Sequence, residues 1–167
     1  MDYRRRKNMR LSAHEYASEG MYYVTICTEG RVCTLGRKEG RNIRLSDIGK
    51  TALESWQKLA ELHGYLSLDS FVLMPNHIHG IIIYHACDDA KTLGQIIRDF
   101  KSFTTHEYYK DKFRITGNLW QRGYYDRIIR CGELDDIRAY INTNPENWEH
   151  DPFFVLETEY LHSLSHN

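Results

Sequence analysis

Apolar and polar positions alternate or recur with a clear period along most of the chain. Residues 21–28 (MYYVTICT) are rich in β-branched and aromatic side chains and predict a strand. Glu29–Gly30 marks a turn, Val32–Leu35 predicts a returning hairpin partner, and Gly36 and Gly40 bracket a further turn before Asn42–Leu45. Ser46 reads as an N-cap with Asp47 in the first turn. Ile48, Leu53, Trp56, Leu59, Ala60 and Leu62 then recur at helical spacing to about His63, with Gly64 as a C-cap. Leu66 to Met74 predicts a second strand, and Pro75–Asn76 separates it from a third, His77 to Tyr84. Thr92 predicts the cap of a helix through about Tyr109, with Leu93, Ile96, Ile97, Phe100 and Phe103 on its apolar face. A loop rich in Lys and Gly spans 110–118. Tyr124 to Arg130 predicts a fourth strand, and Glu133 to Asn142 a last helix stopped by Pro145.

Two helices among four principal strands predict an α+β fold of ferredoxin-like (RRM-like) type. In it an antiparallel sheet carries helices on one face, and a further C-terminal helix follows. With 167 residues, no linker and no repeat, the chain reads as one domain, residues 1–167. Residues 1–20 form a basic N-terminal arm and 151–167 an acidic tail. No apolar run approaches the roughly 20 residues needed to span a bilayer, and MDYRRRKNMR has no signal-peptide core. Cys27, Cys33, Cys87 and Cys131 form no Cys-x-x-Cys pair. The expectation is therefore a reducing cytoplasm and no membrane.

The net charge of −1 conceals a division. Residues 1–130 carry 21 basic and 15 acidic side chains, whereas 131–167 carry one basic and eight acidic. The whole-chain value argues against a nucleic-acid partner, but the distribution is compatible with one. The positive part is expected to hold nucleic acid, and the negative part to face largely elsewhere.

Chemistry concentrates at two places. In His77-Ile78-His79, residues i and i+2 of a strand share a face, so the two imidazoles are neighbours and Ile78 points to the core. Paired neutral imidazoles suit a divalent metal, and Gly80 is expected to let a ligand approach the backbone. A chance polar strand end is the competing reading. A histidine-triad hydrolase is disfavoured, because the third position is Ile81. On the last helix, Leu134, Ile137 and Ile141 form the apolar stripe. Tyr140 lies at its margin, with Asn144 one turn on and on the same face. By itself that segment is equally an amphipathic tyrosine and a helix stop.

Five strings taken in order carry a resemblance. They are Tyr22–Thr28, Phe71–Gly80, Ile96–Ser102, Leu119–Arg130 and Tyr140–Pro145. Across about residues 20–148 the chain resembles the single-tyrosine HUH transposases, and within them the REP-associated tyrosine transposases. The resemblance implies that His77 and His79 bind a metal, that Tyr140 is the nucleophile, and that Asn144 stands where the family supplies a third ligand. Relatives often carry Gln at that position, and they read Tyr-Asp-His where this chain has Tyr125–Asp126–Arg127.

The activity so implied is cleavage and rejoining of single-stranded, hairpin-forming DNA through a 5′-phosphotyrosine, with Mg²⁺ or Mn²⁺ and no nucleotide cofactor. A phenol of pKa about 10 needs help to ionise near neutrality. Candidate DNA contacts are Arg4, Arg5, Arg6 and Lys7 of the arm, then Lys101, Lys110, Lys112, Arg114, Trp120, Arg122 and Arg127. Competing readings are a DNA-hairpin-binding module without chemistry and a metal phosphodiesterase using water. The family includes dimers that exchange the tyrosine helix and forms that act alone, so a homodimer stays open.

Overall fold

A computed structural model of the chain describes residues 19–110 and 117–155. Arg4, Arg5, Arg6, Lys7, Lys112 and Arg114 lie outside them, as does 156–167 of the tail. The alternating apolar run at the start forms strand β1 (Gly20–Cys27). A 3-10 turn (Glu29–Arg31) and a hairpin of β2 (Gly36–Glu39) and β3 (Asn42–Leu45) follow. Next come helix α1 (Asp47–Leu62), strands β4 (Leu66–Leu73) and β5 (His77–Tyr84), helix α2 (Leu93–Tyr109), strand β6 (Tyr125–Ile128) and helix α3 (Leu134–Thr143).

Four strands make one antiparallel sheet in the order β4-β5-β1-β6, with β1 and β5 in the centre. This is the ferredoxin-like arrangement that the sequence predicts. Both expected caps are present. Ser46 Oγ accepts from Gly49 N at 3.1 Å, and Thr92 and Gln95 form a reciprocal capping box. The hairpin is displaced from its expected place. Leu35 is not a strand residue but a fully buried plug, its N–H bonded to Pro75 O and its carbonyl to Ser46 N. Gly36 to Glu39, expected as a turn, is the strand. Its polar, glycine-led sequence lacks the alternation that marks a half-buried strand.

Each sheet face buries a separate cluster. Tyr22, Val24, Ile26, Ile78, Ile82 and Tyr84 meet Ile48, Ala52, Trp56 and Leu59 of α1 and Ile96, Ile97 and Phe100 of α2. On the opposite face Ile81 and Ile129 meet Ile137 and Ile141 of α3, with Met21, Tyr23, Val72 and Ile83 at the margin. Thus α1 and α2 cover one face, and α3 lies on the other. Gly132, with φ +87°, makes the turn that carries the chain from β6 into α3. No described helix is long and apolar enough to cross a membrane.

A register shift between Leu68 and Phe71 turns Asp69 of β4 towards α3. Arg138 grips it with two hydrogen bonds, Nε to Oδ1 at 2.9 Å and Nη2 to Oδ2 at 2.6 Å. These bonds hold the Asp69 carboxyl down at about 2, against desolvation that acts the other way. Arg138→Ala is expected to cost about 1 kcal/mol near neutral pH, the upper end for a partly exposed pair. A carboxyl depressed in the folded state contributes stability that is present above its unfolded pKa. The wild-type advantage should therefore hold down to about pH 4 and vanish as pH falls towards 2. Urea unfolding of both proteins across that range checks it; a gap independent of pH would show that the pair is not its source.

Candidate metal and tyrosine site

His77 and His79 leave β5 on the α3 face, as strand alternation requires. Both are buried, at 0% and 1% exposure. Their Nε2 atoms approach to 3.0 Å. Asp151, which follows a 3-10 turn (Trp148–His150) beyond α3, brings Oδ2 to 3.8 Å from Nε2 of His77 and 4.0 Å from Nε2 of His79. The three ligand atoms lie within 4.8 Å of one another. That spacing suits a cation at the roughly 2.0–2.2 Å that imidazole nitrogen and carboxylate oxygen adopt on such ions.

The electrostatics favour a cation too. Burial, reinforced by the charge of His79, pushes His77 down to about 3, and burial lowers His79 as well. Both rings are therefore neutral at ordinary pH, the form that binds metal. Burial acts to raise Asp151, but its contacts with His79 and His77 and the Phe153 N–H outweigh it and hold the carboxyl below its usual range. At 3.8–4.0 Å from two neutral rings, Oδ2 is beyond hydrogen-bond reach of either. Asp151 Oδ1 accepts from Phe153 N at 2.7 Å, whereas Oδ2 is buried and has no hydrogen-bond partner.

Asn144 adds a second oxygen of the same kind. It is 4% exposed and its Oδ1 is buried without a partner. One turn before it, the Tyr140 ring lies 5.4 Å from that of His79. Four residues after it, the Trp148 ring lies 6.0 Å from that of His77. Asn144 is thus on the helix face that meets the pair. A buried acceptor without a donor costs about 1–3 kcal/mol, and a cation would satisfy both.

Two tyrosines approach His79, and they differ. Tyr23 OH and Thr25 Oγ1 lie 2.7 and 2.8 Å from His79 Nδ1. Desolvation pushes the Tyr23 phenol well above its usual range, so it keeps its proton. Tyr140 packs edge-on against Tyr23 at 6.5 Å, yet it is 43% exposed and faces solvent beside His79. Of the two, only Tyr140 is placed to meet a substrate. Tyr125 of β6, 56% exposed, stands on the same face with its ring 6.0 Å from that of Phe153.

The remaining sequence candidates scatter. Lys101 donates to the carbonyls of Gln121 and Gly123 at 2.8 and 2.7 Å, and burial lowers its ammonium to about 8; it fastens the 119–124 loop to α2. Trp120 is 6% exposed with its ring 5.4 Å from that of Phe100, so it serves the core. Lys110 pairs with Glu107 at 2.8 Å and Arg127 with Glu133 at 3.5 Å. Arg122 is exposed and lines a groove of about 920 Å³ beside α2, together with Arg98, Lys101, Ser102, Asn118 and Tyr124. No acidic side chain lines that groove among the described residues.

Gly80 departs from its expected role. It faces Trp56, on the side of the sheet away from the histidines. Asp151 was not singled out from sequence, because it follows the tyrosine helix in a segment with no periodicity or motif. The acidic part of the chain also does not simply face away. Besides Asp151, Glu149 and Glu146 reach back to Lys38 and Arg41 of the β2–β3 hairpin at 2.8 and 2.9 Å.

Mn²⁺ at about 100 times its dissociation constant is expected to stabilise the fold by about 2.7 kcal/mol, and EDTA to remove the effect. At roughly 2–4 °C per kcal/mol this is a readable shift in melting temperature. Asp151→Asn should shrink the shift; an undiminished shift would remove Asp151 from the ligand set.

The chain matches the transposase IS200-like family over residues 32–144. It is 32% identical over 170 residues to an uncharacterised protein of Haemophilus influenzae, covering 90% of this chain and 93% of that one. Among solved structures, it shares its fold with a REP-associated tyrosine transposase bound to a REP hairpin. There the TM-score is 0.58 at 19% identity, over 87% of this chain and 73% of that one. A candidate transposase from Deinococcus radiodurans R1 superposes with a TM-score of 0.51 at 17% identity, over 77% of this chain and 93% of that one.

Proposed function

The chain belongs to the IS200-like transposase family, and from that premise we propose that it cleaves and rejoins single-stranded, hairpin-forming DNA through a tyrosyl–phosphate link. The observation that carries this reading is the placement of a half-exposed Tyr140 5.4 Å from His79, beside a buried His77–His79–Asp151 group. A nucleophile and a cation site on one sheet face are what phosphoryl transfer to a side chain requires.

Tyr140 Oη attacks the scissile phosphorus, and a Tyr–O–P bond forms as the bond from phosphorus to the 3′ oxygen breaks. The phenolic proton is balanced by the one the departing 3′ oxygen acquires. The product is a 5′-phosphotyrosine and a free 3′-hydroxyl. The ester energy is kept, so rejoining is the same step reversed and needs no nucleotide cofactor. A divalent cation, Mg²⁺ or Mn²⁺, held by His77, His79 and Asp151 with Asn144 beside them, would neutralise and polarise the phosphate. The two unpartnered oxygens of Asn144 and Asp151 fit such an ion.

His79 orients Tyr140 by ring contact, and Tyr23 and Thr25 orient His79. Tyr125 and Tyr140 offer exposed rings on which unpaired bases stack, at about 1–3 kcal/mol per base. The groove with Arg98 and Arg122 takes phosphodiester; neither guanidinium has an ion-pair partner among the described residues. Cys27, Cys87 and Cys131 are free thiols, which suits a reducing compartment.

The test is incubation with Mn²⁺ and a 5′-labelled and a 3′-labelled single-stranded hairpin, followed by a denaturing gel. The reading expects label from the 5′-phosphate side to migrate with the protein. Cleavage without an adduct would replace the reading with a water-using phosphodiesterase, and binding without cleavage with a silent hairpin-binding module.

A further inference from the structure

His77 is held at its other ring nitrogen by a residue that the chemistry above does not use. Asn76 is completely buried, and its Oδ1 lies 2.8 Å from His77 Nδ1. Which end of an amide points where is decided by its partners. Here the decision is unambiguous. Asn76 Nδ2 donates to two backbone carbonyls, Arg31 O at 3.0 Å and Phe153 O at 2.8 Å. Neither carbonyl can donate, so both amide hydrogens are committed there, and Oδ1 must be the atom that faces the ring. An amide oxygen only accepts. His77 must therefore carry its proton on Nδ1 and present a bare Nε2 to His79 and Asp151.

The backbone fixes Asn76 in turn. Its carbonyl accepts from Thr28 N and from Thr28 Oγ1, both at 2.9 Å. The contrast with His79 is instructive. Its Nδ1 partners are the hydroxyls of Tyr23 and Thr25, and a hydroxyl can donate or accept. The Nε2 atoms of the two rings are 3.0 Å apart, so with His77 Nε2 bare, His79 carries its proton on Nε2 towards it and its Nδ1 accepts from a hydroxyl.

We infer that Asn76 is a positioning residue that sets the His77 tautomer ready for a metal and, through the Phe153 carbonyl, anchors the segment that delivers Asp151. The second half follows from connectivity. Phe153 is two residues from Asp151, and its N–H also donates to Asp151 Oδ1. One amide thus ties together both ends of the ligand set, which lie more than seventy residues apart in the chain. The inference rests on the metal-site part of the proposed function, not on the tyrosyl step. Outer partners of this kind typically change metal affinity 10- to 100-fold when removed.

The decisive measurement is the imidazole ¹⁵N spectrum of the full-length, EDTA-treated protein. His77 is expected as a single fixed species with the proton on Nδ1, and the assignment is overturned if the proton is on Nε2 or exchanges between the two. Asn76→Ala should release the tautomer and weaken Mn²⁺ binding, read by calorimetry, about 10- to 100-fold. Asn76→Asp supplies an acceptor to His77 but no donor to the Arg31 and Phe153 carbonyls, so it should keep the Nδ1–H signature while loosening the segment that carries Asp151. A folded Asn76→Ala that keeps both the signature and the Mn²⁺ affinity would overturn the inference. Should Asn76→Ala not fold, the wild-type and Asn76→Asp spectra decide alone. None of these readouts depends on DNA, so a chain that forms no covalent adduct yet shows the fixed tautomer would sink the strand-transfer reading and leave this one standing.

Discussion

Tyr140→Phe is expected to abolish the covalent protein–DNA adduct while leaving hairpin affinity and Mn²⁺ binding essentially unchanged. The substitution removes one oxygen and keeps the ring. The contacts of that ring with Tyr23 at 6.5 Å and His79 at 5.4 Å depend on the aromatic face and edge, not on the hydroxyl. Tyr140 is 43% exposed, so loss of its hydroxyl should alter stability by no more than about 0.5 kcal/mol. Tyr23 cannot take over, because it is buried, committed to His79 Nδ1 and held in its protonated form. Loss of a covalent nucleophile typically removes several orders of magnitude of rate. An adduct of undiminished yield from Tyr140→Phe would show that another side chain attacks. Tyr23→Phe is the matched control. It should weaken the site through His79 without removing the adduct altogether.

Gly80→Ala is expected to destabilise the protein by about 1–3 kcal/mol without reaching the His77–His79–Asp151 group directly. A Cβ at this position would lie 2.5 Å from Cζ2 and 2.8 Å from Cη2 of Trp56, well inside contact. The indole has no easy retreat. It is 2% exposed, stacked on Phe71 at 4.7 Å and met edge-on by Phe100 at 5.7 Å. The lower chain entropy of unfolded Ala recovers only about 0.5–1 kcal/mol of the strain. At roughly 2–4 °C per kcal/mol, thermal melting resolves the loss. Trp56→Leu in the Gly80→Ala background is the sharper test. Each change is costly alone, but the smaller side chain makes room for the methyl, so the double variant should be more stable than the two losses summed. Strict additivity would mean that the clash is not the cause. The Mn²⁺ dissociation constant of the folded variant should stay at its wild-type value.

Strands and helices were legible where burial imposes a period. The run from Tyr22 to Thr28, the caps Ser46 and Thr92, and the stripe of Ile137 and Ile141 all read correctly because one face of each element is apolar. The β2–β3 hairpin was not, since a polar ribbon outside the main sheet has no reason to alternate. The two histidines stood out because their motif is local, whereas Tyr140 was singled out only by the resemblance of five strings taken in order. Asp151 and Asn76 did not, since their roles depend on contacts between segments far apart in the chain. Gly80 was expected to let a ligand approach the backbone, although the alternation that puts Ile78 in the core puts Gly80 beside it, against Trp56. Lys101 and Trp120 line the groove beside α2, yet each also serves the fold. Residue type alone does not reveal that one caps loop carbonyls and the other packs on Phe100. The acidic part, expected to look away, instead pairs with the hairpin and supplies a carboxylate to the histidines.

Arg138 lies two residues before Tyr140 and grips Asp69, eight residues before His77 and ten before His79, in the same chain. The helix that bears the phenol is thereby fastened, within one chain, to the sheet that bears the imidazoles. On the proposed reaction, a cutting set held together in this way makes the rate of adduct formation per molecule independent of dilution, and a rate per molecule that rises with protein concentration would show that two copies share it.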